Sequence, residues 1–474
     1  MSLFDLLMAP CWLVATALLL RAAMRVSRRL HPRGDFFARA LDSLVLSWAA
    51  IVLAAFALSI FRWLVPGLLL AVVGGASAFT LWMPRKNAPG ASEDAYATGC
   101  ATSGDAYATA ADFMAAAPLF GGSLRPRDRA WFVAWLAYVA LAVAAIVMCG
   151  LLEFPSDWDS LAYHIPLVVQ WIRARSLCST HSSSWFHPGN DELLGFWCAA
   201  PFSGDFLIAL ENIPAVALLG LGAHQLARRL GVGRGGAHLA ALTALTPHVV
   251  LRQLLDGEND VAVAGLFAAA LGYGVRYACV PRARNAVLWA AAFGLLPGTK
   301  YYALGYAAVA ALGVVALTLW LRGPRRAIIA GLVGLAGAAA LSGYWYARNA
   351  WFTGTPLYPQ GFLRNPGVLT EIFPYLRETS FLGKGDPSLS PLLVRGVWNW
   401  LGAAHAIAFL AIPLTSLALV SGVFLRGDAR HASSRALLAG LLWLTLGVFG
   451  TTPFVVETEP GTLDMLKQGY LPSR

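Results

Sequence analysis

The chain has 474 residues, of which 58% are hydrophobic and 13% charged, and its formal net charge is +10. A water-soluble domain carries roughly 25% charged residues, so the composition excludes an ordinary soluble globule and puts much of the surface against lipid. Apolar stretches of about 20 residues recur along the whole length, long enough to cross hydrocarbon as helices and far too long for the strands of a membrane barrel.

In chain order, about twelve spans are expected at that length. They run approximately Leu3 to Met24, Leu41 to Phe61, Leu64 to Met83, Trp131 to Leu152, Phe206 to Ala227 and Ala237 to Leu255. The series continues with Val261 to Tyr277, Ala286 to Pro297, Tyr301 to Leu321, Ala327 to Ala347, Val397 to Leu425 and Ala436 to Thr452. The short span Ala286 to Pro297 reads as a broken helix continuing through Gly298. The expected fold class is therefore an all-α polytopic membrane protein. The first apolar run precedes Arg21, Arg25 and Arg28 instead of following a basic segment, so it is expected to remain as an anchor and not to be cleaved.

Alternate connections hold nearly all the clustered arginine: Arg25, Arg28, Arg29 and Arg33; Arg85 and Lys86; Arg125, Arg127 and Arg129; Arg228, Arg229 and Arg234. The same alternation brings Arg282 and Arg284, then Arg322, Arg325 and Arg326, then Arg426, Arg430 and Arg435. By the positive-inside rule these connections are cytoplasmic, and both termini fall outside. The basic balance is thereby topogenic, and no nucleic-acid partner is needed to account for it. The six cysteines have no metal-ligand spacing. Cys178 and Cys198 share an outer loop and pair only in an oxidising compartment; two unrelated thiols are the favoured reading.

Four segments follow. Residues 1–86 form an N-terminal three-helix membrane unit, and 87–124 a flexible cytoplasmic linker that repeats Asp94-Ala-Tyr-Ala-Thr98 as Asp105-Ala-Tyr-Ala-Thr109. Residues 125–456 are the main membrane body, and 457–474 an outer tail. In the first long outer loop, Leu161, Ile165, Val168, Val169 and Ile172 recur at helical spacing, so Ser160 to Ala174 reads as an amphipathic helix on the membrane surface. A short second helix follows Trp185-Phe-His187-Pro-Gly-Asn190-Asp-Glu192. The other long loop, Arg348 to Arg395, reads as irregular structure capping helix ends.

The most informative stretch is Asp157-Trp-Asp159-Ser-Leu-Ala-Tyr163-His164, at the mouth of the fourth span. Together with the amphipathic helix and the His187-Pro188 turn, it resembles the first outer loop of the GT-C integral-membrane glycosyltransferases. The similarity is to the protein O-mannosyltransferase and aminoarabinose-transferase branches and their bacterial cousins. Asp256-Gly-Glu-Asn259-Asp260, Pro297-Gly-Thr-Lys300-Tyr301, Tyr344-Trp-Tyr-Ala-Arg348-Asn349 and Gly354-Thr-Pro-Leu-Tyr358-Pro359 follow in the family's order. The departure is Gly189, where the mannosyltransferase branch has a second proline. That branch-like pattern commonly continues past a Pro-Gly-Thr-Leu and a Tyr-x-Pro-x-Arg segment, whereas this chain stops at Leu471-Pro-Ser-Arg474 and so reads as truncated.

The resemblance implies a GT-C-like bundle in a bacterial inner membrane. It also implies transfer of a sugar, with inversion, from a polyprenyl-phosphate carrier to an extracytoplasmic glycolipid, polysaccharide or protein. A phosphate leaves readily without a general acid, so one carboxylate to activate the acceptor and a cation for the departing phosphate suffice. Asp157 or Asp159 is the implied base, with Asp157 favoured; a helix N-cap is the equal alternative for Asp159. Implied substrate contacts are Tyr163, His164, His187, Glu192, Lys300 and Arg348. Plainer readings stand beside them: a lipid-interface position for His164, a helix-start acid at Glu192, snorkelling for Lys300, and pairing with Glu371 for Arg348. Asp256, Glu258 and Asp260 either bind a divalent cation or order their loop; there is no strong metal motif, and the cofactor is left unassigned. The alternative class is a transporter or lipid flippase, whose ionisable residues belong near mid-membrane.

Overall fold

A computed structural model describes residues 2–31, 35–83, 126–152, 159–182, 184–202, 204–230, 232–254 and 257–358. The regular elements among them are all helical: α1 (Leu3–Leu30), α2 (Phe36–Ile60), α3 (Pro66–Trp82), α4 (Pro126–Leu152), α5 (Ile165–Ala174), α6 (Glu192–Ala199) and α7 (Asn212–Arg229). They continue with α8 (Arg234–Leu245), α9 (His248–Gln253), α10 (Asp260–Cys279), α11 (Ala283–Leu295), α12 (Ala303–Arg322), α13 (Pro324–Leu341) and α14 (Gly343–Thr353). Among the described residues six helices, α1, α2, α4, α10, α12 and α13, are long and apolar enough to cross a membrane, which indicates a multi-pass integral membrane protein. The expected linker 87–124 and the two expected spans after Arg395 lie outside the described residues.

Helix starts follow local chemistry. Ser2 and Asp5 exchange side-chain and backbone bonds in a capping box at α1, and Asp35 accepts from the Ala38 N–H at 2.6 Å at α2. Proline opens α3, α4 and α13, where its missing N–H costs nothing. The helices differ in what they face. On α1 and α4, Leu7, Leu13, Val14, Val133, Leu136 and Leu141 are exposed, as lipid-facing side chains must be. On α2, Val45, Val52 and Ala55 are fully buried, because this helix lies against α1, α3, α6, α7, α11 and α13. The N-terminal helices are thus integral to the bundle.

Small residues set the closest approaches. A Cβ on Gly265 of α10 would lie 2.8 Å from the Leu219 backbone nitrogen of α7, and one on Gly222 of α7 would lie 3.1 Å from the Gly265 carbonyl. Such contacts suit membrane helices, which gain from backbone approach and not from exclusion of water.

Three spans expected to be continuous are interrupted. The stretch from Phe206 begins as a 3₁₀ turn (Ile208–Glu211) and becomes α-helical only at Asn212. The stretch Ala237 to Leu255 breaks after Leu245, because Pro247 cannot donate to the helix and its own backbone is extended at ψ 142°. The stretch Ala327 to Ala347 breaks at Ser342, whose φ is −132° and whose hydroxyl donates to the Gly294 carbonyl of α11. The short span does run on through a 3₁₀ turn, Leu296–Gly298.

The expected surface helix also differs from its sequence reading. Its first turn, Ser160–His164, is a π-helix, and α5 begins only at Ile165 and ends at Arg175 in the left-handed region. Leu167, Val168 and Trp171 are buried, with Trp171 stacked on Trp345 of α14 at 5.5 Å. The segment is therefore packed into the bundle end instead of lying free on lipid.

Two polar assemblies mark opposite ends of α2. At one, the Leu64 N–H donates to the Arg175 carbonyl at 3.0 Å, and the Ser59 hydroxyl meets the Leu177 N–H and the Tyr344 hydroxyl, each at 2.8 Å. At the other, Asp42 accepts from Ser27, His31 and Tyr273. Ser59 lies seventeen positions along α2 from Asp42, or about 25 Å at about 1.5 Å per residue.

Candidate functional site

The wide π-turn sets the geometry of the site. With one extra residue in the turn, Asp159, Ser160, Tyr163 and His164 all face inward and are buried, while Leu161 points out. Asp159 has helical backbone angles and makes no side-chain capping bond, which removes the N-cap reading. Instead the Tyr163 hydroxyl donates to its Oδ2 at 3.4 Å. Asp157 and Asp256 lie outside the described residues.

His164 is buried, away from any lipid interface, and its Nδ1 lies 2.6 Å from Glu192 Oε1. Glu192 does open α6, yet its side chain turns into the protein and also accepts from Asn259 Nδ2 at 3.5 Å. Asn259 in turn donates to the Thr299 carbonyl at 3.2 Å. Four separate parts of the sequence, the π-turn, α6, the turn before α10 and the turn before α12, are thereby tied together. Burial pushes the Glu192 carboxyl up to about 8, and the Lys300 charge only partly offsets it. Burial, reinforced by the neighbouring Glu192 charge, likewise holds Asp191 well above the usual carboxylate range. The raised value favours the protonated form of the Glu192 carboxyl near neutral pH.

Lys300 is buried, so it does not snorkel. Its Nζ lies 2.7 Å from Asp260 Oδ1, and Asp260 also accepts from Tyr302 and, at 3.0 Å, from Gln253. Burial opposes the lysine charge, but Asp260 overcomes that penalty and holds the amine above the usual lysine value. Asp159 and Tyr163 are also within electrostatic reach of Lys300.

Arg348 is placed differently. Its Nη2 donates to the His187 carbonyl at 3.1 Å and its Nη1 to the Leu177 carbonyl at 3.4 Å, while its guanidinium carbon lies over the rings of Trp345 and Trp185 at 4.8 and 5.5 Å. Its fork thus holds the outer loop in place; Glu371, its expected alternative partner, lies outside the described residues. His187 joins the two regions. Its ring stacks on Tyr163 at 5.4 Å and faces Tyr301 at 5.5 Å.

Three contributors escaped the sequence reading. Asn190 is a buried hub: its side chain donates to the Leu295 and Leu341 carbonyls at 2.9 Å each and accepts from Trp345 at 2.8 Å. Asp191 is buried, and its Oδ1 has no hydrogen-bond partner among the described residues. Glu211 is buried against Gly195 and Gly257, where a Cβ on Gly257 would come within 3.0 Å of its Oε1. Only Glu211 left a signal, as an acid inside an apolar run. Cys178 and Cys198 are both free, one exposed and one buried. No group of three or more His, Cys, Asp or Glu among the described residues is arranged to hold a metal ion.

The assembly offers an ionised carboxylate at Asp260, a protonated one at Glu192, an ammonium and several hydroxyls within one buried cluster. Such a mixture of pKa-shifted groups suits proton transfer and stabilisation of developing negative charge. Compared with known proteins, the chain matches no family model, no curated protein and no solved structure.

Proposed function

We propose that this protein is a membrane glycosyltransferase of the GT-C type. It moves a sugar from a polyprenyl-phosphate carrier to a glycolipid, polysaccharide or protein on the extracytoplasmic side of a bacterial inner membrane, with inversion. A bundle of about twelve spans belongs to the same proposal. The observation that carries it is the meeting of Asp159, Tyr163, His164, Glu192 and Lys300 at one end of the helices, from motifs 159–164, 192 and 300 that are far apart in sequence. In this reading Asp157 or Asp159 takes the acceptor proton, Lys300 offsets charge on the departing phosphate, and His187 and Glu192 shape the sugar site. Arg348 acts by fixing the loop that carries His187.

The test uses purified protein in nanodiscs with a lipid-linked sugar. Asp157→Asn is expected to abolish transfer, and Lys300→Ala to weaken use of the carrier. Full turnover by Asp157→Asn removes that residue as the base. Vectorial uptake of solute with no glycosidic product replaces the whole reading with a transporter.

A further inference from the structure

Among the arginines at the end of the bundle opposite the Lys300 cluster, none of which the proposed activity uses, three belong to adjoining helices. Arg229 closes α7, Arg276 lies in the last turn of α10, and Arg284 is the second residue of α11. Their helices are neighbours in the bundle. Arg276 is close enough to both Arg229 and Arg284 to feel their repulsion.

The acids nearby do not cancel this charge by contact. Asp42 is fully buried, but its oxygens are taken up by other donors: Ser27 Oγ at 2.7 Å and His31 Nδ1 at 2.8 Å on Oδ2, and the Tyr273 hydroxyl at 2.8 Å on Oδ1. Asp35 accepts from its own helix at Ala38 and from Gln225 at 3.5 Å. Neither Arg229 nor Arg276 forms a hydrogen bond or an ion pair to a described residue, and the Nε of Arg276 is buried with no partner. Both residues are half-buried.

A half-buried guanidinium without a hydrogen-bonding partner is costly, and one phosphate, whose unbridged oxygens share the negative charge, would engage two such forks at once. Among the described residues, Asp35 and Asp42 are within electrostatic reach of Arg229, but their oxygens accept from other donors. We propose that Arg229 and Arg276, with Arg284 at the rim, form a binding site for a phosphate group at the end of the bundle remote from the Lys300 cluster. The group is either a lipid headgroup phosphate or a free phosphate, which share this chemistry. A merely topogenic arginine belt would instead leave its charges in water, as at Arg325 and Arg326, which are exposed at the same end.

The experiment compares thermal midpoints of the full chain in phosphatidylcholine nanodiscs, in the same discs with phosphatidylglycerol added, and in phosphatidylcholine discs with inorganic phosphate at constant ionic strength. Stabilisation by phosphatidylglycerol alone assigns a headgroup, and stabilisation by inorganic phosphate assigns a soluble anion. The shift is expected to vanish in Arg229→Gln/Arg276→Gln and to persist in Arg325→Gln/Arg326→Gln. Native mass spectrometry of wild type gives a readout that needs no variant: one retained phospholipid or phosphate per chain. No shift and no retained ligand in wild type overturns the site, as does an equal loss in the Arg325/Arg326 control. Neither outcome bears on the sugar-transfer reading, which is measured at the other end.

Discussion

Lys300 and Asp260 form an ion pair at 2.7 Å with both side chains largely out of water. For such a pair, loss of one partner leaves a stranded charge and costs about 3–5 kcal/mol, while loss of both is far less harmful. Asp260→Asn is therefore expected to lower the thermal midpoint sharply, and Lys300→Met/Asp260→Asn to recover much of it. A double variant as unstable as the sum of its singles would show that the two groups do not interact. Glu192 makes a prediction about pH. Its carboxyl ionises at about 8 in the fold against an ordinary value of 4.5, so the folded chain holds an extra proton between those limits. Stability is then highest below the lower value and declines as pH rises through the upper one. Asp191, also raised, adds in the same direction. Midpoints measured from about pH 5 to about pH 8.5 should fall, with a shallower slope in Glu192→Gln; an identical slope in the two proteins removes Glu192 as a contributor.

At the scale of elements, the contact between α7 and α10 rests on absent side chains. A Cβ at Gly265 would press on the Leu219 backbone nitrogen at 2.8 Å, and backbone cannot rotate away. Gly265→Ala is expected to cost about 1–3 kcal/mol through overpacking, whereas Gly75→Ala on α3, where nothing lies within 4 Å, should raise the midpoint or leave it unchanged. Equal loss at both positions would point to a general intolerance of alanine. The helices themselves were legible because apolar runs of span length have few alternatives in lipid. Their interruptions were less so: Pro247 announced one break in the sequence, but Ser342 breaks its helix through a bond to Gly294, a partner 48 residues away. The site divides the same way. Tyr163, His164, Glu192 and Lys300 stood out as polar residues at helix mouths, yet the π-turn that turns the first two inward leaves no mark in apolar spacing. Asn190 was equally silent, since its importance lies in three partners drawn from α11, α13 and α14.

For the whole molecule, the decisive question is which end faces which compartment, and charge gives an answer that labelling can check. Arg25, Arg28 and Arg29 close α1, Arg228 and Arg229 close α7, and Arg322 closes α12; Arg25 also ties α1 to α3 through the Leu81 and Met83 carbonyls. These groups share the Asp42 end of the bundle, and the proposed function, through the positive-inside rule, takes that end as cytoplasmic. The Ser59 end, with the Glu192 and Lys300 cluster beside it, then faces outward. Thr180 and Ala283 are exposed near the two ends and are suitable reporters. In a chain with its native cysteines replaced, Thr180→Cys should react with a membrane-impermeant maleimide in cells whose membrane holding the chain is intact. Ala283→Cys should react only after that membrane is opened. The reverse pattern would turn the Lys300 cluster toward the cytoplasm, which leaves the helical fold untouched but ends the assignment to extracytoplasmic sugar transfer. Reaction of both residues from outside would overturn the assignment of α10 as a span, because its 20 residues are long enough to hold the two ends on opposite faces of a bilayer.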